Sequence, residues 1–339
     1  MNYIIFKNES ALYYEVGYSC DNGIFLALGD EKFFITDGRY EIEAKKSIKD
    51  AKVVIARDIL KEAIDILKKS SIKKLVIDPK EWDILSFNRV KDKLKVEFKF
   101  MPDFSHKKRI IKSSEEIELI KKAVKIGKKS FKKMAKELET LIGAREWELN
   151  FWAESIFRGF GKREVSFMPI LAINENAAKP HATPTKKRLK DKSLILLDGG
   201  VKYKRYCSDR TRTAFLDGSI DFGLKQKFPS KKMQKAYDLV LKAHDRAIKK
   251  ARSGMRGKDI DKIAREVIEK GGFGKYFVHS TGHGVGLDIH EMPYISSKSK
   301  DIIEDGMVFT IEPGIYIEGE FGIRIEDMVV MKDSRAEVL

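Results

Sequence analysis

The sequence predicts two domains of different fold class, an α/β domain over residues 1–112 and an α+β domain over residues 113–339. The chain of 339 residues is long enough for each domain to bury its own core. In the first hundred residues, short apolar segments typical of strands alternate with helical patterns. Beyond residue 164, strand-like segments predominate, and helical patterns interrupt them over one stretch only.

The N-terminal domain is predicted from short apolar segments rich in Phe, Tyr and Ile. Within residues 3–36, the segments YIIF, ALYYEVGY, GIFLALG and KFFITDGRY are separated by Asn, Asp and Gly, and we predict all of them to be strands. A helical pattern follows around residues 40–45. The later segments are predicted as strand 51–56, helix 59–67, strand 73–78, a further helix and strand 95–100.

A capping box opens the C-terminal domain, because Ser113 is followed three residues later by Glu116. Apolar residues then recur at helical spacing as far as Met134. Glycines favour the ends of two later helices, at Gly254 and Gly271. Helices are predicted over 146–157, 231–252 and 259–270, and strands over 165–173, 192–200, 203–216, 307–317 and 322–331. The strands 192–200 and 203–216 are predicted to be antiparallel neighbours.

The composition predicts a globular chain with a basic surface, since charged residues make up 35% and the net charge is +16. The lysines occur in pairs along predicted helices, without a nucleic-acid-binding motif, so we expect no nucleic-acid partner. No apolar run approaches the roughly 20 residues of a membrane span, and the opening residues lack a signal-peptide pattern. Cys20 and Cys207 are far apart and indicate no disulfide framework. We therefore expect a cytoplasmic protein without a membrane partner.

A histidine-rich stretch at residues 279–291 is the first sign of a functional site. His279, His283 and His290 are three of the six histidines in the chain, and three glycines are interspersed among them. Each glycine costs about 1 kcal/mol in a helix interior, so an extended or looped backbone is predicted here. Such a backbone allows a ligand to approach closely.

Acidic residues within or at the end of apolar strands are the second sign. Asp198, Asp209, Glu312 and Glu326 share this setting. Burying a carboxylate is costly unless it is paired or binds a metal, and the nearby arginines do not comfortably neutralise all of these residues. A pair of divalent cations, bound by the carboxylates and one imidazole, resolves the charge problem. The oxygen-rich ligand set suits Mn²⁺, Co²⁺ or Fe²⁺ better than a thiolate-type zinc site.

These residues lie in motifs that resemble those of the "pita-bread" metallopeptidases, a family that includes aminopeptidase P, prolidase, methionine aminopeptidase and creatinase. In order, the motifs are LDGG, CSDRTRT, STGHGVGLDIHEMP, FTIEPGIY and IRIED. His181 lies 17 residues before Asp198, as part of NAAKPHATP. FFITDGRY resembles the N-terminal domain of creatinase. The resemblance implies a creatinase-like domain over 1–112, and a catalytic domain over 113–339 with a curved antiparallel sheet and outer helices.

The resemblance implies a site with two divalent metal ions, with Mn²⁺ expected first and Co²⁺, Fe²⁺ or Zn²⁺ as alternatives. It makes Asp198 a chelating ligand of one ion and Asp209 and Glu326 bridging ligands. His283 and Glu312 bind the other ion in this scheme. The two ions would hold a bridging hydroxide that attacks the peptide carbonyl. Glu312 would also take the proton of the attacking water and pass it to the leaving nitrogen.

Further residues acquire roles in substrate binding from the same resemblance. His279 and His290 would donate hydrogen bonds to the substrate carbonyl and the developing oxyanion. His181 would line the pocket near the scissile bond. Arg324 would orient a ligand carboxylate. The other histidines, His106 and His244, and the residues Asp37 and Arg39 of TDGRY are interpreted as structural.

Two activities of the family are compatible with the intact ligand set and the N-terminal domain. The first is an Xaa-Pro aminopeptidase, which releases the first residue of peptides with proline at the second position. The alternative is an Xaa-Pro dipeptidase (prolidase). The aromatic Tyr294 stands where some relatives carry a basic residue, which favours the aminopeptidase. A remote alternative is a non-catalytic peptide-binding or protein-binding module of the same fold. The family also implies a homodimer or a higher homo-oligomer.

Overall fold

The computed structural model describes all residues from Met1 to Leu339. These residues form two compact units, Met1–Arg109 and Ile110–Leu339. The division follows Arg109, whereas the sequence places the domain boundary after residue 112. No helix is both long enough and apolar enough to cross a membrane.

The N-terminal unit is a mixed six-stranded sheet with helices packed on it. Its strand order is β4-β3-β2-β1-β5-β6, with β1 antiparallel to β2 and parallel to β5. Because successive residues of a strand point to opposite faces, Ile4 and Ile5 enter two separate hydrophobic clusters. The elements are β1 Tyr3–Phe6, α1 Glu9–Val16, β2 Gly23–Leu28, β3 Glu31–Thr36, α2 Glu41–Ser47, β4 Lys52–Ile55, α3 Ile59–Lys69, β5 Lys74–Ile77, α4 Ile84–Lys91, β6 Glu97–Phe100 and α5 Phe104–Lys108.

The strand predicted from ALYYEVGY is wrong, because this segment forms most of helix α1. The side chain of Asn8 caps the helix by accepting a hydrogen bond from the Ala11 amide. Gly17 ends the helix in a left-handed conformation with φ 68°, which glycine adopts without strain. Leu12 and Val16 are four residues apart and lie buried on one helix face. The two caps outweigh the strand preference of the aromatic residues between them.

The C-terminal unit contains only antiparallel strand pairs and four long helices, which confirms its predicted fold class. Helices α6 and α7 share one hydrophobic cluster with β7, β8 and β11, while α8 and α9 pack with the last strands. The sheets are ordered β11-β8-β7, β13-β12-β14-β17-β18, β15-β16 and β10-β9. The helices are α6 Ser114–Thr140, α7 Glu146–Phe157, α8 Lys231–Lys250 and α9 Gly257–Lys270. The strands are β7 Ile170–Ile173, β8 Ser193–Asp198, β9 Lys202–Tyr203, β10 Tyr206–Cys207, β11 Thr211–Leu216, β12 Gly282–Gly284, β13 Glu291–Ile295, β14 Val308–Ile311, β15 Gly314–Ile317, β16 Phe321–Arg324, β17 Asp327–Lys332 and β18 Arg335–Val338.

Several predicted strands are shorter or interrupted in the structure. The predicted strand 307–317 is divided into β14 and β15, and the predicted strand 322–331 into β16 and β17. In each case the two halves belong to different sheets. Pro313 contributes to the first interruption, because proline has no amide hydrogen for a sheet. Segment 203–216 is also divided, although β11 pairs with β8 in antiparallel fashion as predicted.

Gly322 of β16 lies against the 3₁₀ helix Asn174–Ala178, which follows β7. A Cβ atom at Gly322 would lie 1.7 Å from the carbonyl oxygen of Ala177. The strand and the 3₁₀ helix can therefore approach this closely only with glycine at this position.

Gly322→Ala is expected to destabilise the C-terminal unit by about 1–3 kcal/mol or more, the usual cost of overpacking. Differential scanning calorimetry measures the loss as a lower melting temperature. Gly38→Ala is the control, since no atom lies within 4 Å of a Cβ at that position. If both variants melt like the parent protein, the close approach at Gly322 is incorrect.

Candidate metal centre

The two interrupted strands bring Glu312 and Glu326 together. Strands β14 and β17 are paired antiparallel, and their last pair is Ile311 opposite Asp327. Glu312 follows Ile311 and Glu326 precedes Asp327, so both glutamates lie just beyond the same end of the paired segment. Their backbones are fixed there, because the amide of Glu312 donates to the carbonyl of Thr281 at 2.8 Å and the amide of Glu326 to that of Thr211 at 3.1 Å.

The pair β8 and β11 delivers the two aspartates in a similar way. Asp198 ends β8 and is paired with Thr211, the first residue of β11, while Asp209 lies two residues earlier. The Thr211 hydroxyl donates to Glu326 Oε2 at 2.7 Å, which joins the two strand pairs at the site. All four carboxylates thus meet because two strand pairs end at the same place.

The ligand atoms of this group lie close enough to share a metal ion. Asp209, His283 and Glu326 each offer an atom within 4.8 Å of the others. His283 Nε2 is 3.7 Å from Asp209 Oδ2 and 3.4 Å from Glu312 Oε1. The carbonyl of Gly284 lies 3.0 Å from His283 Nδ1, which places the ring proton on Nδ1. The lone pair of Nε2 therefore faces the carboxylates, as a metal ligand requires.

The remaining aspartate also fits a cation. Asp198 Oδ2 accepts a hydrogen bond from Arg324 Nη2 at 2.7 Å. Its other oxygen, Oδ1, is buried and has no hydrogen-bond partner. A buried carboxylate oxygen without a partner is costly, and a bound divalent cation would satisfy it. The donor set thus fits the predicted metal ions in chemistry and in arrangement.

The electrostatics of the group reflect the repulsion between its members. Burial, together with the charges of Asp198 and Glu312, raises the pKa of Asp209 well above its ordinary value. Burial and the charge of Asp209 do the same to the pKa of Glu326. The pKa of Glu312 is raised to about 7, mainly by burial and further by the charge of Asp198. Cations at this position would relieve the repulsion and favour the charged carboxylates.

The structure places the predicted histidines around one cavity of about 410 Å³, which also exposes the carboxylates. The rings of His283 and His290 are 4.3 Å apart. Burial lowers the pKa of His290, and the neighbouring His283 lowers it further, so the ring of His290 is neutral at pH 7. His181 and Arg324 line the same cavity.

His279 is held by hydrogen bonds at both of its ring nitrogens. Its Nδ1 donates to the carbonyl of Ser280 at 2.7 Å, and its Nε2 lies 2.8 Å from the hydroxyl of Tyr316. Burial lowers the pKa of His279 to about 3, with a further contribution from the positive charge of Arg324. The neutral ring therefore accepts a hydrogen bond from Tyr316, and both of its nitrogens are occupied.

Arg324 connects these parts of the site. Besides Asp198, its guanidinium donates to the Tyr316 hydroxyl at 2.8 Å, to the Thr211 hydroxyl at 2.9 Å and to the carbonyl of Pro180 at 3.3 Å. The sequence singled out Arg324 and missed Tyr316 and Thr211. Tyr316 belongs to FTIEPGIY, whose alternating side chains would have placed it on the same strand face as Gly314 and, before the break, as Glu312.

A second buried group lies behind the site and was not predicted. Arg212 Nη2 donates to both oxygens of Asp327 at 2.7 and 2.8 Å. His244 of α8 approaches the same carboxylate, with its Nε2 3.4 Å from Asp327 Oδ2. This contact explains the histidine within an outer helix.

Comparisons with known proteins place both units in known families. Residues 118–333 match the profile of Metallopeptidase family M24, and residues 1–111 match that of the Creatinase/Prolidase N-terminal domain. An Xaa-Pro dipeptidase of Pyrococcus furiosus is 42% identical over 243 residues, which are 72% of this chain and 66% of that protein. The matched segment therefore spans slightly less than two thirds of that relative's length.

Solved structures match over nearly the whole chain. An Xaa-Pro dipeptidase from Bacillus anthracis has a TM-score of 0.90 at 31% identity, and the match covers 99% of this chain and 92% of that one. An X-Pro aminopeptidase from Thermotoga maritima has a TM-score of 0.89 at 31% identity, with 99% and 94% covered. The predicted pita-bread fold is confirmed by these similarities. The chain belongs to metallopeptidase family M24, with an N-terminal domain of the creatinase/prolidase type.

Proposed function

We propose that the chain is a metal-dependent peptidase that hydrolyses the bond between an N-terminal residue and a following proline. The observation that carries this proposal is the convergence of Asp198, Asp209, Glu312, Glu326 and His283 beside one cavity. The names of the similar proteins, Xaa-Pro dipeptidase and X-Pro aminopeptidase, support this substrate class.

Asp198, Asp209, His283, Glu312 and Glu326 would together hold the divalent ions in the proposed site. Bound divalent ions of this kind lower the pKa of water and polarise a peptide carbonyl. Glu312 faces the cavity, and its carboxylate could accept a proton from water and pass it to the proline nitrogen.

Two histidines have different parts in this proposal. The neutral ring of His290 faces the cavity and can donate one hydrogen bond to the substrate carbonyl oxygen as negative charge develops there. His279 lines the same cavity, but its ring nitrogens are bonded to Ser280 and Tyr316. It would contact substrate directly only if the hydrogen bond with Tyr316 were exchanged.

The two forms of the activity are supported by different observations. The dipeptidase is favoured by the name of the Pyrococcus furiosus relative and of the Bacillus anthracis structure. The aminopeptidase is favoured by the cavity, where Arg324 is the only lysine or arginine and its guanidinium is already bonded within the protein. A dipeptide substrate carries its terminal carboxylate next to the scissile bond and would need a cation there.

The first prediction concerns the substrate. With Mn²⁺ supplied, the protein is expected to release the first residue from Xaa-Pro or from Xaa-Pro-Yaa, and chelation by EDTA is expected to abolish the release. Chromatographic product analysis of both peptides in parallel distinguishes the dipeptidase from the aminopeptidase. Peptides with alanine in place of proline are the control. Absence of hydrolysis with each of Mn²⁺, Co²⁺, Fe²⁺ and Zn²⁺ would favour a binding module.

The second prediction separates a metal ligand from a substrate contact. Asp209→Asn is expected to lose most of its bound metal and at least about 10³-fold in kcat/KM, since it removes a bridging charge. His290→Ala is expected to retain the metal and to lose about 10²-fold in kcat, the scale of a lost oxyanion donor. Metal content by mass spectrometry and steady-state kinetics measure both effects.

Two variants serve as controls for this pair. Asp238→Asn changes an exposed aspartate of the outer helix α8, and His106→Ala changes a histidine of the N-terminal unit. Both variants are expected to have the metal content and the kinetic constants of the parent protein. Normal metal content in Asp209→Asn, or metal loss in His290→Ala, would contradict the assignment.

The third prediction concerns pH. The pKa of Glu312 is raised to about 7 in the metal-free protein, so this carboxyl is still partly protonated at neutral pH, and the pKa values of Asp209 and Glu326 are raised as well. Metal binding must displace these protons, and the affinity for Mn²⁺ is therefore expected to fall as the pH is lowered from 8 to 6. Isothermal titration calorimetry in buffers of different ionisation enthalpy measures the released protons. Binding without proton release would contradict the raised pKa values.

A further inference from the structure

Glu146, the first residue of α7, has its side chain fully buried and is hydrogen-bonded to a single loop of the chain. Its Oε1 accepts from the amide of Ile173 at 2.8 Å. Its Oε2 accepts from the amide of Thr185 at 2.7 Å and from the side-chain amide of Asn176 at 2.9 Å. The hydroxyl of Thr185 donates to the same oxygen. One carboxylate therefore holds both ends of the segment 174–185.

A carboxylate in this position needs an explanation, because burying a charge is costly. The donors around Glu146 are backbone amides, one side-chain amide and one hydroxyl, and the residue takes part in no ion pair. Hydrogen bonds to an ionised acceptor are stronger than those between neutral groups, and the N-terminus of α7 adds a favourable dipole. The charge is thus stabilised by the same groups whose position it fixes.

The segment held by Glu146 carries part of the proposed substrate cavity. Pro180 and His181 line this cavity, and the carbonyl of Pro180 accepts the hydrogen bond from Arg324. Asn176 extends the connection inside the segment, because its side-chain amide also donates to the carbonyl of Thr183 at 3.1 Å. Glu146 therefore holds the residues on both sides of His181.

We infer that Glu146 is a positioning residue, which holds the segment 174–185 so that His181 and the carbonyl of Pro180 keep their places beside the substrate. Glu146 does not line the cavity, so it acts through the segment. The inference rests on the proposed function only in taking this cavity as the substrate site.

The test compares Glu146→Gln with Glu148→Gln. Both changes remove one charge in the first turn of α7, but Glu148 bonds only the amide of Arg145 and does not contact the segment. In Glu146→Gln, the new side-chain NH₂ group faces the amides and the hydroxyl that had donated hydrogen bonds to the carboxylate of Glu146, and it cannot accept those bonds. Hydrogen exchange of the amides in 173–185 is expected to become at least about tenfold faster in Glu146→Gln and to stay unchanged in Glu148→Gln.

Kinetics on an Xaa-Pro or Xaa-Pro-Yaa peptide give the functional readout. Glu146→Gln is expected to raise KM at least about fivefold, with metal content unchanged, because the segment lines the cavity without binding the ions. In the His181→Ala background, Glu146→Gln is expected to lower kcat/KM by a smaller factor than in the parent protein, since one of the two positioned groups is already missing. If Glu146 had a merely structural role, Glu146→Gln would lower kcat/KM by the same factor in the parent protein and in the His181→Ala variant.

The inference is overturned if exchange within 173–185 is unchanged in Glu146→Gln, or if it rises equally throughout the C-terminal unit. It is also overturned if the Glu146→Gln and His181→Ala losses multiply. Should Glu146→Gln fail to fold, Glu146→Asp retains the charge one methylene further back and is expected to show a smaller acceleration in the same segment. A parent protein without Xaa-Pro hydrolysis would contradict the proposed function, and the exchange result would still decide the placement of the segment.

Discussion

The burial of four neighbouring carboxylates is the constraint on which the C-terminal unit depends. Two unit charges 4 Å apart repel by about 4 kcal/mol at an effective dielectric constant of 20. Carboxylate oxygens of Asp209 and Glu326 lie within 4.8 Å of each other, and the charges of Asp198 and Glu312 act on the same group. Arg324 offsets part of this repulsion through Asp198, and the raised pKa values show that the rest remains. A core built for stability alone would use apolar residues here. Divalent cations in this space would offset the repulsion between the carboxylates.

The fold meets this constraint by ending strand pairs at the site instead of passing through it. In a continuous strand, successive side chains point to opposite faces, so neighbouring residues could not all reach one point. Strands β14 and β17 stop at the pair Ile311 and Asp327, and β8 and β11 stop at Asp198 and Thr211. Beyond these pairs the backbone turns into other sheets. Thr211 links the ends of the two strand pairs, because its carbonyl accepts from the amide of Glu326 and its hydroxyl donates to the Glu326 carboxylate.

This geometry explains which parts were predictable from the sequence. A carboxylate within or at the end of an apolar strand is costly to bury, so the candidate ligands could be recognised from the sequence alone. The bounds of α7 were predicted from helical spacing, and its helix matches residues 146–157. The prediction was wrong where local signals for strand and helix compete. In α1, aromatic residues favour a strand, but the caps at Asn8 and Gly17 favour the helix that the structure shows. Glu146 could not be singled out, because a glutamate in the first turn of a helix is ordinary until its partners 27–39 residues away are known.

The hydrogen bonds of the histidine-rich stretch assign a different part to each imidazole. Burial lowers the pKa of His279, His283 and His290, so each neutral ring offers one donor and one acceptor. The Nδ1 hydrogen of His283 is donated to the carbonyl of Gly284, so the lone pair of Nε2 is available for a cation. In His279, Nδ1 donates to the carbonyl of Ser280 and Nε2 accepts from the hydroxyl of Tyr316. Of these three rings, only His290 faces the cavity with its donor uncommitted, which supports the proposal that this ring donates to a substrate oxygen.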